Sequence, residues 1–142
     1  MIREARLTDI ESICTLMGHL GYTSTYEQMT ERFDKINGHP DYRTYLAEQD
    51  GLVAGMVGLI ISHPYESDKD YIRVVALVVD PNYRKQGIAK NLLFKVEELA
   101  RQLSIDKITL NSGKRSERQQ AHEFYVHNRF EVKSLGFVKH IR

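Results

Sequence analysis

The spacing of apolar and polar residues changes several times along this chain, and each change marks an expected element. Residues Ile2 to Leu7 can form a short opening strand. Thr8-Asp9-Ile10-Glu11 then has the spacing of a capping box, a hydroxyl for an orphan amide and a carboxylate three residues on. After it Ile10, Ile13, Met17 and Leu20 recur close to the helical period, and Gly21 stops that helix. Thr25-Tyr26-Glu27-Gln28 repeats the box and starts a second helix bearing Met29, Phe33 and Ile36, ending near Asn37-Gly38.

The middle of the chain reads as strands. Tyr42 to Gln49 and Leu52 to Ser62 flank Asp50-Gly51, a dipeptide that supports a tight hairpin. Tyr71 to Val79 is rich in β-branched residues and ends at Asp80-Pro81-Asn82. From Gly87 to Leu103 a long helix is expected, with Ile88, Leu92, Val96, Leu99 and Leu103 forming one apolar stripe. Lys107 to Asn111 reads as a short strand, and Ser116 or Glu117 to about Asn128 as a helix. Phe130 to Ser134 and Phe137 to Ile141 read as two final strands. This order predicts one mixed α/β (α+β) sheet with helices on its faces, in a single domain over residues 1–142.

Composition narrows the class without naming it. The chain has 142 residues, 42% hydrophobic and 27% charged, which suits one ordinary core. Twenty Lys and Arg against 19 Asp and Glu leave a formal charge of +1, so no excess of one sign calls for nucleic acid or an anionic membrane as partner. The single cysteine, Cys14, excludes an internal disulfide framework and a multi-cysteine zinc site. It lies on or beside the apolar face of the first helix and reads as a buried small hydrophobe. No metal is called for. No apolar run is long enough to span a bilayer and the N-terminus lacks a signal-peptide core, so a cytoplasmic protein is expected.

The most informative segment runs from Leu77-Val78-Val79-Asp80-Pro81 through Arg84-Lys85-Gln86-Gly87-Ile88-Ala89-Lys90, an apolar strand passing through a polar loop into the longest helix. The first amides of a helix lack internal partners, and the helix dipole adds partial positive charge there, so this end suits a phosphate. Gly87 removes a side chain where a ligand would approach the backbone, and Ala89 keeps the next inward position small. Arg84, Lys85 and Lys90 add positive charge. The spacing matches neither the nucleotide P-loop nor the dinucleotide fingerprint.

At these residues the chain resembles the GNAT acetyltransferases, which carry [Arg/Gln]-x-x-Gly-x-[Gly/Ala] after their fourth strand. The resemblance extends through Asn111-Ser112-Gly113 and Arg118-x-x-Ala121-His122-x-Phe124-Tyr125. It implies a mostly antiparallel sheet of about seven strands flanked by four helices. It implies acetyl-CoA as acyl donor, its pyrophosphate on the amides of Gln86 to Lys90 and its pantetheine arm along the backbone of Leu77, Val78 and Val79. Asn111 and Arg118 are placed near the coenzyme, where Arg118 stands at a position many relatives fill with asparagine and either reaches a phosphate or caps its helix. Tyr125 is placed as the acid that protonates the departing thiolate. A phenol, with an ordinary pKa of about 10, carries that proton at neutral pH.

The acceptor implied is a small-molecule or peptide amine. Many relatives have a glutamate where this chain has Val75, so no residue stands out as general base, and His63, Asp70, Tyr71 and His122 are the candidates. The acidic balance of the loop from His63 to Asp70 hints at a cationic acceptor. Arg129 replaces a glycine usual in the family, and Asn128 is the better candidate for a left-handed residue at that turn. Three other readings stay open: a non-catalytic acyl-CoA-binding module, a nucleotide-phosphate-binding domain, and the same fold with a longer acyl donor. A homodimer through the final strands is compatible with the sequence.

Overall fold

In the computed structural model of the chain, which describes residues 1–111, 119–134 and 136–141, strands form where the apolar patterning is strongest. The first of two compact units, Met1–Thr109, contains β1 (Ile2–Glu4), α1 (Ile10–Leu20), α2 (Tyr26–Asn37), β2 (Tyr42–Gln49), β3 (Leu52–Ser62), β4 (Tyr71–Val79) and α3 (Ile88–Gln102). Single 3₁₀ turns at Leu7–Asp9 and Pro81–Tyr83 precede α1 and α3. The sheet has five strands in the order β1-β2-β3-β4-β5, with β5 at Ile108–Leu110. β1 to β4 pair antiparallel. The second unit, Leu110–Arg142, holds α4 (Gln119–His127).

The hairpin between β2 and β3 turns on Asp50 at φ 54° and Gly51 at φ 78°. Two consecutive left-handed residues define the turn whose twist matches that of paired strands. The box at Thr25 forms in both directions: Thr25 Oγ1 accepts the Gln28 amide at 3.1 Å and Gln28 Oε1 accepts the Thr25 amide at 2.9 Å. The box expected at Thr8 does not form. Asp9 instead accepts the Arg6 amide at 2.7 Å and takes two hydrogen bonds from the Arg3 guanidinium, at 2.8 and 2.9 Å. A bidentate charged partner outcompetes a neutral cap, so α1 begins at Ile10 and β1 stops at Glu4.

Strand alternation divides the core between two faces of the sheet. Leu46, Met56 and Val78 lie on one face under Ile10, Ile13 and Leu16 of α1 and Met29 and Phe33 of α2. On α3 the expected stripe buries Ile88, Leu92, Val96 and Leu99, joined by Leu93 and Ala100, whereas Leu103 is exposed. Each such buried side chain contributes about 1.5–3 kcal/mol relative to exposure. Cys14 is half-buried, its Sγ donating to the Ser24 carbonyl at 3.2 Å, and is not the fully buried residue expected.

The sheet therefore has five strands among the described residues, not about seven. Residues 130–134 and 136–141 are not strands. A strand exists through its ladder partner, which apolar patterning alone does not supply, and Val132, Phe137, Val138 and Ile141 are exposed. Among the described residues these segments supply no strand to the sheet. Ser116 and Glu117 lie outside the described residues.

Candidate functional site

The loop between β4 and α3 is built to leave amides unpaired. Asp80 ends β4 by donating its amide to the Ala54 carbonyl at 2.8 Å, and its carboxylate accepts the Asn82 amide at 2.9 Å, starting the turn at Pro81. The chain then passes through extended Arg84, left-handed Lys85 at φ 64° and left-handed Gly87 at φ 77°. The first helical bond of α3 is from the Asn91 amide to the Gly87 carbonyl, at 3.0 Å. Hence the amides of Gln86, Gly87, Ile88, Ala89 and Lys90 find no acceptor among the described residues. Left-handed residues interleaved with ordinary ones make a concave row of N–H groups, and the helix dipole adds to its field.

The side chains around this row keep it open. Arg84, Lys85 and Lys90 are exposed, with Lys90 Nζ 5.6 Å from the centroid of the Phe94 ring. Gln86 accepts a hydrogen bond from Gln49 at the end of β2. Nothing lies within 4 Å of the place a Gly87 Cβ would occupy. Ile88 points the other way, into the core, where a Cβ on Gly55 of β3 would lie 3.1 Å from its Cγ2. Sequence reasoning did not single out Gly55, because a glycine inside an apolar strand carries no mark of what lies above it.

β4 contributes an edge that is unpaired among the described residues. Opposite β3, Gly58 faces Ala76 and Leu59 faces Val74, so Val75 is the extra residue of a bulge and is 48% exposed. The Asp80-to-Ala54 bond makes Val78 the next residue bonded to β3, which aims the N–H and C=O of Leu77 and Val79 toward the other edge. Ile72 donates to the Lys107 carbonyl at 3.0 Å. Only a parallel course keeps Ile108–Leu110 beside β4 from that point, and three residues do not reach Leu77. The edge from Leu77 to Val79 thus offers main-chain groups beside the free amides.

The remaining expected residues belong to the second unit or lie outside the described residues. Asn111 and Tyr125 belong to the second unit, and Arg118 lies outside the described residues. On α4 the half-buried Tyr125 sets its ring edge-on to Phe124 and Phe130, at 5.8 and 6.0 Å between centroids. The helix ends with the Phe130 amide on the Tyr125 carbonyl at 2.9 Å and the Arg129 amide on the Val126 carbonyl at 3.1 Å. That pairing demands a left-handed residue between them. Arg129 supplies it at φ 70°, not Asn128, whose Nδ2 donates to the Phe124 carbonyl at 2.8 Å.

The base candidates are weakened by their partners. His63 is held by Asp70 at 2.8 Å on one ring nitrogen and by Asp41 at 3.1 Å on the other. These carboxylates, Asp70 first, raise its pKa, which disfavours the neutral imidazole that a base requires. Of the acidic residues behind the hint in this loop only Asp70 is engaged among the described residues, by His63, while the loop's Lys69 pairs with Asp106 outside it at 3.0 Å. His122 is exposed on α4. A cavity of about 490 Å³ lies at the β1–β2 edge between Glu4, Ile36, His39 and Tyr42, two strands from β4. Among the described residues no group of three or more His, Cys, Asp or Glu could hold a metal, and no helix is long and apolar enough to cross a membrane.

The family model for acetyltransferases of the GNAT family matches residues 6–129. The chain belongs to the GNAT acetyltransferase family. It is similar to a GNAT family acetyltransferase of Staphylococcus aureus subsp. aureus USA300_TCH1516, with 30% identity, TM-score 0.84, and 99% of this chain and 98% of that one covered. It is 27% identical to the aminoalkylphosphonate N-acetyltransferase of Salmonella typhimurium (strain LT2) over 97% of this chain and 89% of that protein. The aminoglycoside N-acetyltransferase AAC(6')-Iy, solved in complex with CoA, shares its fold at 18% identity and TM-score 0.86, with 100% of this chain and 94% of that one covered. The mixed α/β class expected from sequence is the GNAT fold, and the chain is an acyltransferase of the N-acetyltransferase type.

Proposed function

We propose that this GNAT enzyme transfers the acetyl group of acetyl-CoA to a primary amine by direct attack while both substrates are bound. The observation that carries this reading is the row of five amides from Gln86 to Lys90 without an acceptor among the described residues, ringed by Arg84, Lys85 and Lys90. Such a row fits the pyrophosphate of the donor. The edge of Leu77 and Val79 fits its pantetheine amides, laid on as an added strand. Asn111 and Arg118 are the remaining coenzyme contacts of this reading.

The acceptor nitrogen forms a bond to the thioester carbon, and the carbon–sulfur bond breaks. Of the two β4 amides expected for this role, that of Leu77 faces the free edge and stabilises the oxygen that gains charge, since Val78 is bonded to β3. Tyr125 gives its proton to the departing thiolate, while the amine loses one to solvent or to a water-relayed base, since Val75 stands where a carboxylate would otherwise serve. No metal is needed for this step. Acceptors to try first are small amines of the kinds named for the relatives, an aminoalkylphosphonate and an aminoglycoside. A cytoplasmic setting and a single catalytic domain over residues 1–142 belong to the same reading.

Calorimetric titration with acetyl-CoA and with dephospho-CoA tests it. The wild type is expected to bind acetyl-CoA in the micromolar range, and Gly87→Trp, which fills the open space at the amide row, is expected to lose that binding while remaining folded. A folded wild-type protein that ignores acetyl-CoA would overturn the donor assignment.

A further inference from the structure

Two cations on the α1 side of the sheet, Arg73 and Lys107, have no ion-pair partner among the described residues. Before the bulge, Tyr71, Arg73 and Val75 alternate with Ile72 and Val74, which are buried on the α3 side. After it, Ala76 and Val78 continue the face that α1 covers. The face is therefore open at Arg73 and Val75, both exposed on an interior strand, and closed from Ala76 onward. An antiparallel sheet can leave part of one face to solvent, and here that part carries an aliphatic residue and a guanidinium two positions apart.

Around that opening Arg73 and Lys107 are cations without an ion pair among the described residues, and Glu66 and Asp68 of the loop before β4 have none there either. Asp41 and Asp70 are engaged by His63, and Asp106 by Lys69. Lys107, exposed, carries its Nζ over the Tyr71 ring at 5.2 Å and forms no ion pair among the described residues. Arg73 makes neither a hydrogen bond nor an ion pair among them. Arg73 lies on the strand that leads to Leu77, four residues or about 13 Å before it, and Lys107 lies beside the start of that strand. A guanidinium at that distance can reach back toward a small molecule standing on Val75. Its planar fork suits phosphonate, phosphate and carboxylate groups.

We infer that Arg73, supported by Lys107, binds an acidic group on the acceptor, so that the preferred substrate is a short amine carrying an anion at its far end. The inference rests on the acetyl-transfer reading and names its substrate class. It also accounts for the exposed Val75, which would be the apolar floor under the carbon chain between the amine and the acid.

Steady-state kinetics with 2-aminoethylphosphonate and with propylamine, an amine of similar length without the anion, separate this from a general role. Arg73→Gln is expected to raise KM for the phosphonate about ten- to a hundredfold, the loss of a charge-assisted bond. KM for propylamine and for acetyl-CoA should stay unchanged, and Arg73→Lys should recover part of the effect. Equal changes for both amines, no change, or a wild type that favours propylamine would overturn the inference. If neither amine is acetylated, the fault lies with the transfer reading, and a second measurement decides the Arg73 site alone. Methylphosphonate titrated into ¹⁵N-labelled protein should move the Arg73 Nε–Hε signal, identified by its loss in Arg73→Gln, in a saturable way. A signal that stays still overturns the site.

Discussion

Gly55 of β3 and Ile88 at the head of α3 approach so closely that a Cβ on the glycine would lie 3.1 Å from Ile88 Cγ2 and 3.0 Å from the carbonyl oxygen of Val78. One of these neighbours is backbone and cannot rotate away. The contact fixes the height of the α3 N-terminus above β4, and with it the row of free amides. Gly55→Ala is expected to destabilise the protein by about 1–3 kcal/mol through overpacking, and to weaken acetyl-CoA binding. Denaturant melts and calorimetry check the pair of effects. A variant that loses stability but keeps full affinity would show that the amide row does not depend on this contact.

Arg3 and Asp9 tie β1 to the turn before α1 through two hydrogen bonds, and Arg3 also bonds Glu48 of β2. The Arg3 guanidinium holds the Asp9 carboxyl below its usual 3.8, against the opposing effect of burial. A lowered carboxylate pKa stabilises the fold above the unfolded value, and this contribution is lost as the pH falls through the folded value. Stability should therefore decline below about pH 4 in the wild type, and less steeply in Asp9→Asn. At neutral pH Asp9→Asn should cost about 2 kcal/mol, since a charged bidentate partner is removed from a nearly buried guanidinium. Urea melts from pH 3 to pH 7 measure both, and parallel curves for the two proteins would refute the linkage.

Much of this arrangement was legible in the residues, and the failures have a common cause. β2, β3 and β4 fall on the segments that patterning picked out, because alternation and the Asp50-Gly51 turn act locally. The Thr25 box and the stop at Gly21, left-handed at φ 106°, are local as well. The free amides of Gln86 to Lys90 could be expected because helix starts leave amides free in any fold. What escaped depends on partners distant in sequence. The Val75 bulge is defined by the register against β3, and the tightness at Gly55 by a helix more than thirty positions on. The Thr8 box was lost to Arg3, and residues 130–134 and 136–141 had strand composition but no ladder.

The clasp of His63 between Asp70 and Asp41 joins the loop before β4 to the connection before β2. The two carboxylates raise the imidazole pKa above its ordinary 6.5. For a raised pKa the stabilisation is fully present below the unfolded value and disappears as the pH rises through the folded one. The clasp should therefore be closed at pH 6 and loosen in more alkaline solution. Proton NMR of the His63 ring should give a midpoint above 6.5 that falls toward it in Asp70→Asn, with Asp41→Asn having the smaller effect. A wild-type midpoint at or below 6.5 would show that the clasp does not form in solution.

Helices α1, α3 and α4 end in the same pair of backbone bonds, and each places one left-handed residue between them: Gly21, Ser104 at φ 56° and Arg129 at φ 70°. Glycine takes that conformation freely, whereas other L-residues give up about 1–2 kcal/mol to crowding of Cβ. Part of this gain is offset because glycine also loosens the unfolded chain. Arg129→Gly should thus raise stability by about 0.5–1 kcal/mol, seen as a higher urea midpoint at unchanged slope. The side chain of Arg129 is exposed, so little packing is forfeited. Because the bond from Phe130 to the Tyr125 carbonyl is kept, acetyl transfer should proceed at the wild-type rate. A destabilised Arg129→Gly would mean that this turn is not left-handed in solution, and that the Tyr125 helix ends differently.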